Sequence, residues 1–412
     1  MPPSPADSPH LLLLPSPPRP LTRPTLSAAY QTPITATLTK LNLIASSSSQ
    51  PSSPSPSPTK LVIAVAAPVL TPGYAPPQVR WGYAQSLLAG LYTILAIICA
   101  DNDIDAALGD GAGSLDATFV LVDFVADKTY QRNYDGTFTE ANGTVIRDLP
   151  AFAYTVHPWA TVFHPSSEPG YQVLRDFLAY SEGRQSFLQN QLVEVQDGIS
   201  MSTEARNAEV GPAVAPFKCV CLGGTFDHLH PGHKLLLQAA ALLLAVPKTG
   251  EKSELIIGIA ADELLKNKKF SEELQGWDQR ARAAISVLAT TLENSTQASP
   301  PTTSPRENEL HATLRDGAVV VRCVAISDPF GPPIHEENVF AIVVSGETRA
   351  GGKAINDKRQ EKGWAPLEVF EIDVLDTREV DDNMAQATVE DFSTKISSTA
   401  IRQQRASKRA AA

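Results

Sequence analysis

Phe217-Lys218-Cys219-Val220-Cys221-Leu222-Gly223-Gly224-Thr225-Phe226-Asp227-His228-Leu229-His230-Pro231-Gly232-His233 is an apolar run that breaks at paired glycines and resumes as the start of a helix. Phe217–Leu222 is short and apolar on both faces, as a strand covered by helices on each side must be. Gly223 and Gly224 allow the backbone to approach a phosphate with no side chain in the way. Thr225 adds a hydroxyl donor. Pro231 suits a first helical turn, and Gly232 gives close access to it. The N–H groups of that turn have no partners within the helix and offer positive potential to an anion. His230 and His233, three apart, project to one side of the turn. A histidine pair at this spacing also occurs as a metal pair or as two caps, but no further His, Cys or carboxylate cluster in the sequence supports a metal, and no metal-ligating residue is assigned.

Outward from this stretch, further apolar runs lie at Leu255–Ala260, Ala318–Ile326, Phe340–Val344 and Val369–Leu375. Helical patterns at Gly232–Ala245 and Asp278–Leu292 separate some of them. Strand and helix in alternation predict an α/β fold, a doubly wound parallel sheet of Rossmann-like form with right-handed crossovers. The last run alternates with Glu371 and Asp373 and is expected at a sheet edge. Asn294–Pro305 and Glu379–Asp391 read as solvated loops. The unit spans residues 217–405, followed by a basic tail at 406–412.

Upstream, residues 198–216 read as a linker and residues 60–197 as a smaller α/β domain of unassigned role. In that domain strands are expected at Leu61–Ala67 and near Thr118–Val125, with helices at Tyr83–Cys99 and at Tyr171–Val195, the latter broken near Gly183. His157 and His164 have no companion at ligand spacing. Residues 1–59 are rich in Pro, Ser and Thr, a composition that buries too little apolar surface to offset its ordering entropy, so a disordered tail is expected there. Trp81–Ala100 carries no charge and is long enough to span a bilayer. Its Gln85, Ser86, Tyr92 and Thr93, and its place among soluble-looking strands, favour a buried core helix, with no membrane span.

The 412 residues exceed one ordinary domain, and 43% hydrophobic against 19% charged residues is a globular balance. A net charge of −11 disfavours general nucleic-acid binding, which draws on surplus Lys and Arg. Cys99, Cys219, Cys221 and Cys323 show no metal spacing. Cys219 and Cys221 share a strand face, where a disulfide fits poorly, and are read as buried thiols of a reducing compartment. The location expected is cytoplasmic, with mitochondrial import left open by the acid-poor first sixty residues. The N-terminal domain is open to a regulatory role or to docking of a protein partner.

The Gly-Gly-Thr-Phe-Asp…His-x-Gly-His segment resembles the nucleotidylyltransferase superfamily. Ile396-Ser397-Ser398-Thr399-Ala400-Ile401-Arg402 is similar to its second signature, in which Ser and Thr cap a helix start and hold phosphate oxygens while Arg402 pairs with them. Within the superfamily, three segments resemble the eukaryotic, fungal-like type of phosphopantetheine adenylyltransferase. They are Val344–Arg359, Leu264–Phe270 with Glu273-Leu274-Gln275, and Asp328-Pro329-Phe330-Gly331-Pro332. Gly346 stands where that family commonly has Glu, and Pro333 where it has Thr. No Gly-x-x-x-x-Gly-Lys-Ser/Thr loop occurs, which disfavours a fused kinase.

The resemblance implies transfer of the adenylyl group of ATP to 4′-phosphopantetheine. His233, His230 and Lys268 are then the catalytic residues. Gly224, Thr225, Phe226, His230, Gly232, Gly346, Glu347, Ser398, Thr399 and Arg402 are the nucleotide-binding ones. Mg2+ would ride on ATP with few protein ligands. The competing readings are a nicotinamide mononucleotide adenylyltransferase and a non-catalytic nucleotide-binding scaffold of the same fold.

Overall fold

The computed structural model describes residues 8–43, 58–71, 74, 77–105, 114–125, 142–155, 159–199, 212–247, 250–293, 303–373 and 397–411. The N-terminal half runs β1 (His10–Leu14), α1 (Arg23–Lys40), β2 (Thr59–Ala67), α2 (Trp81–Asp101), β3 (Leu115–Asp123), β4 (Arg147–Asp148), α3 (Leu149–Thr155), β5 (Val162–Pro165), α4 (Glu168–Ser181) and β6 (Leu192–Val195). These strands form one parallel six-stranded sheet in the order β4-β3-β2-β1-β5-β6.

The segment expected to be a disordered tail supplies β1, a central strand paired to both β2 and β5, and the 18-residue helix α1. Leu11 to Leu14 are all at most 1% exposed, two on each sheet face, so four consecutive leucines bury enough apolar surface to order a proline-flanked segment. The helix expected over Tyr171–Val195 ends at Ser181. Gly183 then takes φ +82°, and the chain returns as the edge strand β6. Of the expected linker, residues 200–211 lie outside the described residues, while Val214 bridges to Val79. His157 and Glu379–Asp391 are likewise outside them. His164 is packed in the interior, its ring against Tyr171.

The C-terminal half runs β7 (Cys219–Gly224), α5 (Pro231–Ala241), β8 (Ser253–Ala260), α6 (Asp262–Leu265), α7 (Trp277–Glu293), β9 (Thr303–Arg306), β10 (Glu309–Leu314), β11 (Val319–Ile326), β12 (Ala341–Val344), α8 (Arg349–Glu361), β13 (Glu368–Glu371) and α9 (Ser398–Ala411). Its seven-stranded sheet has the order β13-β12-β7-β8-β11-β10-β9. The pairs from β13 to β11 are parallel and doubly wound, with β13 at the edge as expected. The departure is the antiparallel hairpin β9–β10 on the other edge, which occupies part of the segment read as a solvated loop. β7 lies between β8 and β12, so the order reverses there, and the crevice above the ends of β7 and β12 is the topological switch point.

The two halves share one core. Leu12, Ile63 and Phe119 of the first sheet and Leu222, Ile257 and Val321 of the second belong to a single cluster, filled in between by α1, α2, α5 and α7. α2 meets criteria of length and composition for crossing a membrane, but 72% of its most apolar window is buried, and its Trp81 Nε1–H donates to Ala239 O of α5 at 2.8 Å. On the outer faces, α3 and α4 cover the first sheet and α8 the second. All four cysteines are buried thiols, with Cys219 and Cys221 on the α8 side.

Candidate active site

The loop from β7 to α5 is short and bent. Phe226 (φ +54°) and His228 (φ +44°) both adopt the left-handed conformation, at a cost of roughly 1 kcal/mol each for residues with a Cβ. The bends send Phe226 inward, fully buried, where its ring lies 5.3 Å from that of His233. A Cβ on Gly224 would stand 3.0 Å from the Phe226 ring, so this glycine makes room for the phenylalanine. His228 is tied down by its ring Nε2, 2.7 Å from Glu273 O, and by its N–H, which donates to Gln275 Oε1 at 2.8 Å.

His230 is the N-cap of α5, yet its side chain makes no capping bond. The first-turn N–H groups of Gly232 and His233 therefore stay available to an anion. The imidazoles of His230 and His233 stack with centroids 3.9 Å apart, and the buried Nδ1 of each has no hydrogen-bond partner among the described residues. Desolvation pushes His230 down to about 4. Desolvation, then the neighbouring His230 and Lys268, hold His233 well below its ordinary value. Both shifts favour the neutral imidazole over the imidazolium.

Lys268 arrives from the loop after α6. Its ammonium donates to Thr225 Oγ1 at 3.0 Å. Burial and the nearby Arg402 lower its pKa. A cleft of about 560 Å³ opens beside Gly223, Gly224 and Thr225 at the switch point. Asp328–Pro333 line one flank, and Glu347 and Thr348 of the β12–α8 turn with Gly351 and Gly352 of the first turn of α8 line another. Thr225 thus joins the cleft to Lys268, and the stacked histidines occupy the adjoining helix start.

Residues 221–404 match a family model described as cytidylyltransferase-like, and residues 1–201 one described as a domain of unknown function (DUF8446). The second half is 33% identical over 186 residues to phosphopantetheine adenylyltransferase of Saccharomyces cerevisiae, covering 45% of this chain and 48% of that one. It is 34% identical over 184 residues to an uncharacterized protein of Schizosaccharomyces pombe, covering 44% and 46%. Against a phosphopantetheine adenylyltransferase of Pyrobaculum aerophilum it is 33% identical over 159 residues, covering 39% of this chain and 81% of that protein. The chain belongs to the phosphopantetheine adenylyltransferase family of nucleotidylyltransferases. The match spans about half the length of the two fungal relatives.

Within this adenylyltransferase frame several expected residues stand elsewhere than at the open cleft. Phe226 is a floor beneath His233. Arg402, expected to pair with phosphates, is 2% exposed, and its guanidinium is spent on Asp227 Oδ2 (2.6 Å), Lys269 O (3.1 Å) and Thr399 Oγ1 (3.1 Å). Ser398 donates its hydroxyl to Asp227 O at 2.8 Å, while Thr399 is exposed at the start of α9. The second signature is thereby clamped to the first. Gly346 is an exposed turn residue, and Glu347 beside it reaches the cleft rim. Lys266 lines a separate depression with Asp262 and Ser271.

Three residues passed over by the sequence reading organise the family motifs. Asp227, fully buried, accepts from Arg402 and from Gln275 N–H (3.0 Å). Gln275 holds His228 in return. Arg280, also fully buried, donates to Thr225 O (2.6 Å), Ala260 O (2.8 Å), Gln275 O (3.0 Å) and Asp262 (2.6 Å). Asp227 and Gln275 were at least visible inside quoted motifs. Arg280 had no signal beyond being a charge on a helix whose neighbours at one-turn spacing are apolar.

Proposed function

We propose that this chain transfers the adenylyl group of ATP to 4′-phosphopantetheine, giving dephospho-coenzyme A and pyrophosphate. One observation carries the reading: Lys268, Thr225 and two neutral stacked imidazoles converge at an uncapped helix start beside a cleft at the switch point. The phosphopantetheine adenylyltransferase names of similar proteins support this acceptor.

In the proposed step an oxygen of the acceptor phosphate forms a bond to the α-phosphorus of ATP. The bond from that phosphorus to the oxygen bridging the β-phosphate breaks, and its electrons leave with pyrophosphate. The nucleophile is already an anion, so no strong base is needed, which suits histidines held neutral. Catalysis then rests on positioning and on stabilising charge that spreads over the transferring group. The Thr225 hydroxyl would sit between the attacking phosphate and the α-phosphate. Lys268 would neutralise charge there, and His233 would donate an N–H as the transition state forms. His230 and the N–H groups of Gly232 and His233 would hold phosphate oxygens. Mg2+ would come bound to the triphosphate. Asp227, the carboxylate of the motif, is committed to Arg402 and Gln275 N–H and so would not hold the ion.

The test is to incubate purified protein with ATP, Mg2+ and either 4′-phosphopantetheine or nicotinamide mononucleotide, and to follow pyrophosphate with the nucleotide product identified by mass. Dephospho-coenzyme A from the first mixture is the expected result. Product only with the mononucleotide, or ATP binding with no pyrophosphate from either, overturns the assignment.

A further inference from the structure

The helix that carries the two histidines also closes the edge of the other sheet. β4 pairs with β3 only at Val122 and Asp123, so among the described residues the earlier part of β3 has no strand on that side. Carbonyls on such an edge need partners when buried. Two of them, Ala117 O and Phe119 O, accept from α5: Lys234 Nζ reaches Ala117 O at 2.8 Å, and Gln238 Nε2 reaches Phe119 O at 2.8 Å. Lys234 Nζ also donates to Asp116 Oδ1 at 2.8 Å, and Gln238 Nε2 to Thr291 Oγ1 at 3.1 Å. Lys234 and Gln238 are each 1% exposed.

The spacings match. Residues four apart on a helix are separated by roughly 6 Å along its axis. Residues two apart on a strand are separated by roughly 6.6 Å. Two side chains at i and i+4 on α5 therefore seat on alternate carbonyls of β3, and no shift of one helical turn preserves both bonds. A lysine head buried with one carboxylate is weak as a source of stability, but it discriminates strongly between registers.

We propose that Lys234 and Asp116 are a positioning pair through which the N-terminal domain sets the axial place of α5, and hence of His230 and His233, for the transfer reaction. Lys234 follows His233 directly, and its own N–H makes the bond to His230 O that closes the turn. The pair touches no substrate. It holds from behind the turn that does, so the N-terminal half is part of the catalytic framework. This rests on reading the histidine pair as the transfer site. A catalytic group displaced by about 1 Å can lose about 10²-fold in rate. Loss of an interaction made in the transition state lowers kcat and kcat/KM together and leaves KM in place.

The experiment uses the full chain with Lys234→Met, which keeps the unbranched apolar stem and removes the polar head. The folded fraction is measured by circular dichroism, and the ring Cε1–Hε1 signals of His230 and His233 by NMR. Expected are a folded protein, displaced signals from both rings, kcat lowered about tenfold or more, and KM values within about threefold of wild type. Asp116→Asn alone, which keeps an acceptor oxygen for the Lys234 ammonium, should retain most of the wild-type rate. Should Lys234→Met not fold, Asp116→Ala breaks the same contact from its partly exposed end, with the same expectations. Wild-type ring signals in the folded variant overturn the proposal, as does a rate loss that follows only the unfolded fraction. If the wild type itself releases no pyrophosphate, the acceptor assignment fails, and the ring signals alone then decide the positioning role.

Discussion

At the scale of single residues, the site separates groups that face a substrate from groups that hold them. Lys268 and Lys269 are sequence neighbours with different fates: one ammonium meets Thr225, while the other residue contributes its carbonyl to Arg402. Lys268→Ala should lower turnover by about 10²-fold or more, the size expected for losing a charge-stabilising donor, and Lys269→Ala should lower it little. Equal effects in a steady-state assay would remove Lys268 from its role. The histidines also make a pH prediction. Both titrate lower in the folded chain than the ordinary 6.5, so below that pH the unfolded chain takes up protons that the folded one refuses. Stability is therefore complete above pH 6.5 and falls as pH drops from there toward 4, by up to about 1.4 kcal/mol per pH unit for each histidine. Urea unfolding at stepped pH should show this slope, reduced in His230→Gln. An NMR titration of the ligand-free protein should show neither ring protonating near 6.5, since burial holds both below that value. The sequence made His230, His233, Thr225 and Lys268 legible because each sits in a short motif. It could not show that Arg402 and Phe226 point inward, since the direction of a side chain depends on bends at Phe226 and His228 that no composition signals.

At the scale of elements, α9 closes the site through one buried ion pair. Asp227 is fully buried and Arg402 nearly so, and the ring of contacts continues through Ser398 and Lys269. Removing one partner leaves an uncompensated charge, so Arg402→Ala should loosen the docking of α9 by about 3–5 kcal/mol. Hydrogen exchange over residues 398–405 should accelerate accordingly. Exchange as slow as in the wild type would mean that α9 is held by other contacts. The elements around the motifs were readable as continuous apolar runs, the pattern of doubly covered parallel strands. The hairpin β9–β10 was not, because a two-sided edge built from Thr303-Ser304-Pro305-Arg306 and an alternating partner lacks that pattern. β1 was hidden by its surroundings: Leu11–Leu14 has the composition of a central strand but sits between prolines. Its partners lie some fifty and one hundred and fifty residues away in β2 and β5.

At the scale of the whole molecule, one helical layer serves two sheets. α5 is buried nearly all round, with Leu235, Leu236, Leu237, Ala239, Ala240 and Ala241 each at most 9% exposed, and a helix apolar on every side needs cover on every side. A fragment beginning at Pro212 would uncover the faces of α5 and α7 that the first sheet and α2 conceal. It should aggregate or bind a hydrophobic dye strongly at concentrations where the full chain does neither. A soluble, monomeric fragment with the full rate would show that the shared core is dispensable. None of this could be read from the sequence, because both halves have the composition of independent α/β units, and their fusion depends on which face of α5 each sheet takes. The central claim, that the imidazole pair at the start of α5 stabilises adenylyl transfer, is tested most directly by pyrophosphate release from His233→Ala at saturating ATP and 4′-phosphopantetheine. A fall in kcat of about 10²–10³-fold in a folded protein is the predicted result. Turnover at the wild-type rate would contradict it.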